Sequence, residues 1–251
     1  MKNTVKIHEV NPSQTSRRSF LKISGLTMVG TGLLLAGCND TDGDPSRPDE
    51  YPGIRNGVFD LGGGDLGVLT YAYALEQLEA DFYTKVVNAT GFNTNFTDED
   101  RAVLTDLYTH EVIHREFFKA AISGALENAN QDVNAHLLPS LAFDYSGLDF
   151  SNRTAVLATA KTLEDTGVAA YNGAGKLITN AAYLLIAGKI VSVEARHASA
   201  IRSLINPNSK DFAGDDIVSN STGLDVAKSP AQILPAAGAF ITTEFTANYL
   251  T

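Results

Sequence analysis

The stretch LYTHEVIHREFF, residues 107–118, carries two overlapping metal-binding patterns. His110-Glu111-Val112-Ile113-His114 reads as H-E-x-x-H, in which two histidines on one helix face hold zinc and the glutamate acts as a base. Glu111-x-x-His114 alone is a different unit. Positions i and i+3 share a helix face, so this glutamate and histidine could form one half of a two-metal carboxylate site. The other half decides between the readings, and it lies 83 residues on. Leu107, Glu111, His114, Phe118 and Ile122 are matched in spacing by Ile190, Glu194, His197, Ile201 and Ile205. The position matching His110 is Val193, so the repeat preserves Glu-x-x-His and not H-E-x-x-H.

A second pair of segments repeats as well. Leu69, Ala72, Leu75, Glu76 and Tyr83 share the spacing L-x2-A-x2-L-E-x6-Y with Leu157, Ala160, Leu163, Glu164 and Tyr171. Each glutamate and histidine sits on an apolar stripe of helical period and therefore faces a core. Four carboxylates and two imidazoles then converge. Four buried carboxylates without cations are costly, and two divalent metals remove that cost. The expected ligands are Glu76, Glu111, His114, Glu164, Glu194 and His197, holding two Fe or two Mn ions. Mixed carboxylate and imidazole ligands suit these metals better than a thiolate-seeking one. Glu79 competes with Glu76, but its counterpart is Gly167, so the repeat favours Glu76. His110 is expected at the surface or behind a ligand. Tyr83 and Tyr171 are expected either to hydrogen-bond behind the ligands, to relay electrons, or only to pack. Without metals, the clustered carboxylates should have raised pKa values.

Four long helical patterns must position these residues. They run from Leu66 to about Val87, from FTDED at residues 96–100 to about Leu126, from near Ser151 to about Ile178, and from about Asn180 to Ile205, where NPN stops the last. Asp65 is read as the N-cap of the first helix, and Thr97 with Asp100 as a capping box opening the second. Short loops join helices 1 to 2 and 3 to 4, and roughly 24 residues, Glu127–Phe150, join the hairpins. The fold class expected is all-α, a ferritin-like four-helix bundle with a long crossover between helices 2 and 3. Residues 64–205 form the bundle. Residues 206–251 form an irregular C-terminal extension with a short helix at SPAQIL. The G-x-G-x-x-G at Gly62, Gly64 and Gly67 is discounted as a nucleotide loop, because no strand–loop–helix pattern of βαβ type surrounds it.

On the repeat and on the closing segment SPAQILPAAGAFI, the chain resembles ferritin-like domain proteins of the desiccation-related type, over about Gly64–Ile205 and into the tail. The resemblance implies that Glu111 and Glu194 bridge the metals and Glu76 and Glu164 are terminal, with one metal on His114 and the other on His197. It implies a site more firmly than a reaction.

The N-terminus reads as an address. SRRSFLK, residues 16–22, is a twin-arginine export signal, and the apolar run that follows is too short for a typical membrane span. It ends in LAGC at Cys38, which resembles a lipobox whose cysteine takes up lipid. Residues 1–37 are therefore expected to be signal, with Cys38 as the membrane anchor of an exported, extracytoplasmic lipoprotein. Residues 38–63, rich in Asp, Pro and Gly, are expected to be a flexible tether. Cys38 is the sole cysteine of 251 residues, so no disulfide forms within the chain. The net charge of −10 argues against nucleic acid. It also argues against binding anionic lipid by charge, and a homo-oligomer is left open.

Two functions of different class fit. One is redox chemistry on O₂, peroxide or Fe²⁺ at a dinuclear centre. The other is a non-enzymatic envelope stress protein whose metals are structural. Iron storage in a hollow shell is a weaker third, since tether and tail would both have to fit the shell.

Overall fold

The computed structural model describes residues 51–250. The twin-arginine motif, Cys38 and residues 38–50 of the expected tether lie outside the described residues. Four long helices carry the fold: α1 (Gly64–Val87), α2 (Asp98–Asn128), α3 (Arg153–Ala174) and α4 (Ala181–Ile205). They form two antiparallel hairpins, α1–α2 and α3–α4. The connection between them contains one short helical turn, Val133–His136. This is the all-α, four-helix connectivity expected. Among the described residues, no helix is long and apolar enough to cross a membrane.

Local chemistry explains most boundaries. The Thr97 side chain accepts from the Asp100 N–H, and the Asp100 carboxylate accepts from the Thr97 N–H, which closes the capping box at the start of α2. Asn152 and Asn180 cap α3 and α4 through their side-chain oxygens. Asp65, in contrast, is not an N-cap. Residue 63 is the cap of α1, and Asp65 lies inside the first turn. Its carboxylate accepts from the backbone N–H groups of Thr179 and Asn180 at 2.7 and 2.9 Å, and from the Thr179 hydroxyl. It pins the α3–α4 turn onto the start of α1, a role that depends on chain reversal 114 residues away.

A glycine in the first turn of α1 serves the helix entry. A Cβ on Gly67 would fall 2.5 Å from the Gly62 carbonyl oxygen, so only glycine lets the chain fold back over the first turn.

α1 and α3 have matching sequence patterns but unequal burial. α1 is buried on all faces from Gly67 to Ala80, whereas α2 buries one stripe, including Leu104, Leu107, Phe118, Ile122 and Leu126. The crossover covers the outer face of α1. Gln77 donates to the Pro139 carbonyl and accepts from the Leu141 N–H, and Tyr145 donates to the Leu78 carbonyl. The chain after α4 adds a further layer through α5 (Pro230–Ala237), which packs on α3 and α1.

The expectation of a flexible tether through residue 63 is corrected for its last part. β1 (Gly53–Arg55) and β2 (Val58–Asp60) form an antiparallel pair, and β3 (Phe245–Thr246) joins β2 in parallel. The fully buried Asp60 accepts from the Gly62 and Asn248 N–H groups and from the Thr246 hydroxyl, and pairs with Arg55 at 3.2 Å. A buried carboxylate with this many donors fixes both ends of the described chain to each other. The tail is also anchored where its backbone crosses α3. The Lys228 N–H donates to the Ala169 carbonyl, and a Cβ on Gly173 would lie 1.8 Å from the Lys228 oxygen. Glycine at 173 is thus a condition for the tail to dock.

Candidate metal centre

Each hairpin brings its ligand candidates to the middle of the bundle. α1 supplies Glu76, α2 supplies Glu111 and His114, α3 supplies Glu164, and α4 supplies Glu194 and His197. All four carboxylates are fully buried. The six residues form two donor groups within the bundle: Glu76, Glu111, His114 and Glu194 in one, and Glu111, Glu164, Glu194 and His197 in the other. Glu111 and Glu194 belong to both.

The atoms are arranged with an approximate two-fold symmetry. His114 Nδ1 lies 2.9 Å from Glu194 Oε1, 3.4 Å from Glu76 Oε2 and 3.6 Å from Glu111 Oε2. His197 Nδ1 lies 2.8 Å from Glu111 Oε1, 3.4 Å from Glu164 Oε2 and 3.6 Å from Glu194 Oε2. Each shared glutamate therefore offers one oxygen to each group. Metal–ligand bonds of about 2.0–2.2 Å at roughly right angles set neighbouring donor atoms about 3 Å apart. The observed separations fall around that value. None of these eight donor atoms has a hydrogen-bond partner. Buried polar atoms are otherwise almost always paired, so the donor set fits two cations.

Behind the donor groups, the tyrosines act across the hairpins. Tyr83 on α1 donates to Glu164 Oε1, and Tyr171 on α3 donates to Glu76 Oε1. Glu164 and Glu76 each have one oxygen held by a hydroxyl and the other left in a donor group. The spacing along one helix did not say which glutamate each tyrosine serves. The antiparallel packing gives each to the glutamate of the other hairpin.

His110 belongs to neither donor group. Its Nδ1 faces the outer nitrogen of His197, Nε2, at 2.9 Å. The two histidines of H-E-x-x-H thus have separate tasks, as the repeat implied. When His197 Nδ1 is a ligand, its proton sits on Nε2 and is donated to His110, which fixes the ligand's tautomer and orientation. Glu79 also stands outside both groups. It is buried, its Oε2 is unpartnered, and its carboxyl fills the space left by Gly167, where a Cβ would come 3.0 Å from Glu79 Oε1.

The electrostatics of the metal-free cluster are uneven. Burial, then repulsion from Glu194 and Glu76, hold the Glu111 carboxyl well above its usual range. Burial raises Glu164 to about 7, against the pull of His197. Burial and the surrounding carboxylates raise Glu79 strongly. Glu194 departs from the expected general rise. Burial raises it, but the close approach of the His114 and His197 imidazoles outweighs that and brings it down to about 2. Burial lowers the two imidazoles, yet the carboxylates win: His197 reaches about 12 and His114 is raised further still.

A family model described as a ferritin-like domain matches residues 64–207, more than half of the chain and all four long helices. No curated protein matches the chain.

Proposed function

From the chain's membership of the ferritin-like domain family, we propose a dinuclear Fe or Mn centre with redox function in the cell envelope. The observation that carries this reading is the pair of donor groups sharing Glu111 and Glu194, with eight buried donor atoms lacking hydrogen-bond partners. In this reading Glu111 and Glu194 bridge, Glu76 and Glu164 are terminal, and His114 and His197 hold one ion each. Two such ions, when bound, supply two one-electron redox couples for O₂, peroxide or Fe²⁺. The protein's residues set the conditions for that chemistry. Tyr83 and Tyr171 fix the terminal carboxylates through one oxygen each, and His110 holds His197. Glu79, whose burial favours the neutral acid, keeps a proton beside the centre without being a ligand. Burial of all four carboxylates excludes bulk water.

The envelope location rests on SRRSFLK and on LAGC, with lipid on Cys38 as the membrane attachment. The likeness to desiccation-related proteins supports a stress setting. A second reading, structural metals in a non-enzymatic envelope protein, is favoured by the same full burial, which leaves little visible access for a substrate.

Metal titration of the full chain tests the centre. Two Fe²⁺ or Mn²⁺ ions per chain are expected, and the E76Q/E164Q double variant should lose tight binding. Two tight ions in that variant would refute the site. A ferrous protein that turns coloured as O₂ or peroxide oxidises it to the ferric form supports the redox role, and a colourless, inert, metal-stabilised one supports the structural role.

A further inference from the structure

The start of α4 is unusual on its solvent side. Its inward stripe is Ile190, Glu194, His197 and Ile201. The first two turns of its outward stripe are Ala181, Leu184, Leu185 and Gly188, at i, i+3, i+4 and i+7. All four are exposed, Leu184 by 47% and Leu185 by 62%. The equivalent positions of the repeat on α2 are Asp98, Arg101, Ala102 and Thr105, an ordinary solvent-facing set. Residues 181–188 carry no charge on any side. A helix apolar all round is normally enclosed, and an apolar patch left in solvent marks a contact surface.

Charge sharpens the contrast. The chain carries a net charge of −10, yet residues 166–193 contain no Asp or Glu. The only charges in that stretch are Lys176 and Lys189, both exposed and in no ion pair among the described residues. Asp65, the acid packed against the α3–α4 turn, has both oxygens taken up by Thr179 and Asn180. Two exposed acids at this end of the bundle, Glu127 and Asp132, belong to the end of α2 and the crossover. It is therefore the α4 side, not the whole end, that lacks acids. The described chain also enters here. β2 leads directly into α1, whose first turn Asp65 joins to the α3–α4 turn. Tyr51 stands thirteen residues after Cys38, a reach of at most about 45 Å at full extension.

We propose that the α3–α4 turn and the start of α4 form a lipid-contacting face, with Leu184 and Leu185 in the headgroup boundary of a bilayer and Lys176 and Lys189 at anionic headgroups. The proposal rests on the reading of Cys38 as a lipid anchor and gives the anchored domain an orientation. So small an apolar surface binds weakly by itself, but a short tether holds it at high local concentration, so weak contact suffices. A second copy of the chain fits the face less well. In a symmetric dimer the same patch meets itself, which would bring lysines together with no acid in the stretch to pair them. The net charge opposes anionic lipid for the molecule as a whole, and this face is the exception.

With Cys38 acylated, Leu185→Cys supplies the one free thiol of the chain. The lipidated full chain is labelled there with a polarity-sensitive fluorophore and reconstituted in vesicles of phosphatidylethanolamine and phosphatidylglycerol. Emission should shift to the blue and be quenched by nitroxide-bearing lipid. The same label on Ala102→Cys, the equivalent position on α2, should stay aqueous. Lys176→Glu with Lys189→Glu should return the label at 185 toward its aqueous emission, and so should vesicles of phosphatidylcholine alone. An aqueous label at 185 in the anchored protein overturns the proposal, as does equal immersion at 102. A label at 185 already shielded before vesicles are added, in a protein with a dimer's mass, gives the face to a second copy and overturns it too. The mass of the Cys38 peptide reads the anchor separately. If Cys38 is unacylated, the anchor reading fails, and the same label in the Cys38→Ser chain added to vesicles judges the face alone: immersion supports it and an aqueous label refutes it.

Discussion

The His114 and His197 halves of the centre come from segments with identical ligand spacing, yet their surroundings differ. The His197 side chain is 4% exposed and its outer nitrogen meets His110. The His114 side chain is 11% exposed, and no partner for its outer nitrogen is present among the described residues. The residue that would supply one, at the position equivalent to His110, is Val193. A second asymmetry sits between α1 and α3, where Glu79 faces Gly167, its own counterpart in the repeat. The internal repeat keeps the atoms that would touch a metal. The residues behind them differ, which makes the two donor groups unequal in accessibility and in support.

The largest effect should come from the residues that both halves share. Replacing Glu111 and Glu194 together by Ala should abolish binding of both ions, whereas Glu76→Gln should weaken the His114-side ion and leave the other. Calorimetric titration separates the outcomes. Equal loss from Glu76→Gln and the double variant would break the two-group description.

Next comes the supporting histidine. Outer partners of ligating histidines are worth about 10–100-fold in metal affinity. His110→Ala should therefore weaken one ion by that factor and leave the second unchanged. Val193→His should sharpen the comparison from the other side. By slowing release of the His114-side ion to a chelator, it should make a two-phase release curve more nearly single. A parent curve that is already single-phase would remove the asymmetry.

The pH dependence of the metal-free protein is a smaller effect. Glu164 has a folded pKa of about 7 against an ordinary 4.5, so its contribution is present below 4.5 and is lost as pH rises through 7. His197, raised from 6.5 to about 12, contributes fully below 6.5 and progressively less above it. Glu194 works in the opposite sense. Its lowered pKa contributes above 4.5 and is lost as pH falls toward 2. The metal-free form should thus be most stable at mildly acidic pH, with Tm falling toward pH 8 and again in strong acid. The metal-loaded form should hold its Tm through neutrality, because the ions replace the protons. Melting curves at a series of pH values check this, and a metal-free Tm that rises from pH 5 to 8 contradicts it.

The smallest effect expected is at Gly167. Gly167→Ala brings a methyl to 3.0 Å from Glu79 Oε1, the end of a side chain that can shift by a few tenths of an ångström. A stability change of about 1 kcal/mol or less is expected, with two ions still bound. Loss of an ion would make Glu79 part of the ligand set after all.

The residues of the two donor groups were readable because their signal is local. Glu-x-x-His at i and i+3 places both side chains on one face whatever the rest of the chain does. Its recurrence within apolar stripes points to convergence in a common core. The capping box at Thr97 and the helical stops were legible for the same reason. Asp65 was misread because its type and position suit an N-cap, while its partners, Thr179 and Asn180, are brought to it only by the packing of the two hairpins. The strand pairing of residues 53–60 with 245–246 was equally hidden, since segments of two or three residues carry no periodicity that can be told from a polar tether.

The amino-acid sequence by itself determined the four helices, their pairing as two related hairpins and the six side chains that meet inside them. Those follow from periodicity and spacing along single helices. Only the tertiary structure decided which hairpin's tyrosine holds which glutamate. It likewise decided that His110 stands behind His197, that α1 is enclosed on every side, and that Glu194 falls in pKa while Glu111 and Glu164 rise. The physical reason is common to all of these. Each depends on distances between groups on different helices, where a shift of one helical turn would exchange the partners without changing any local pattern.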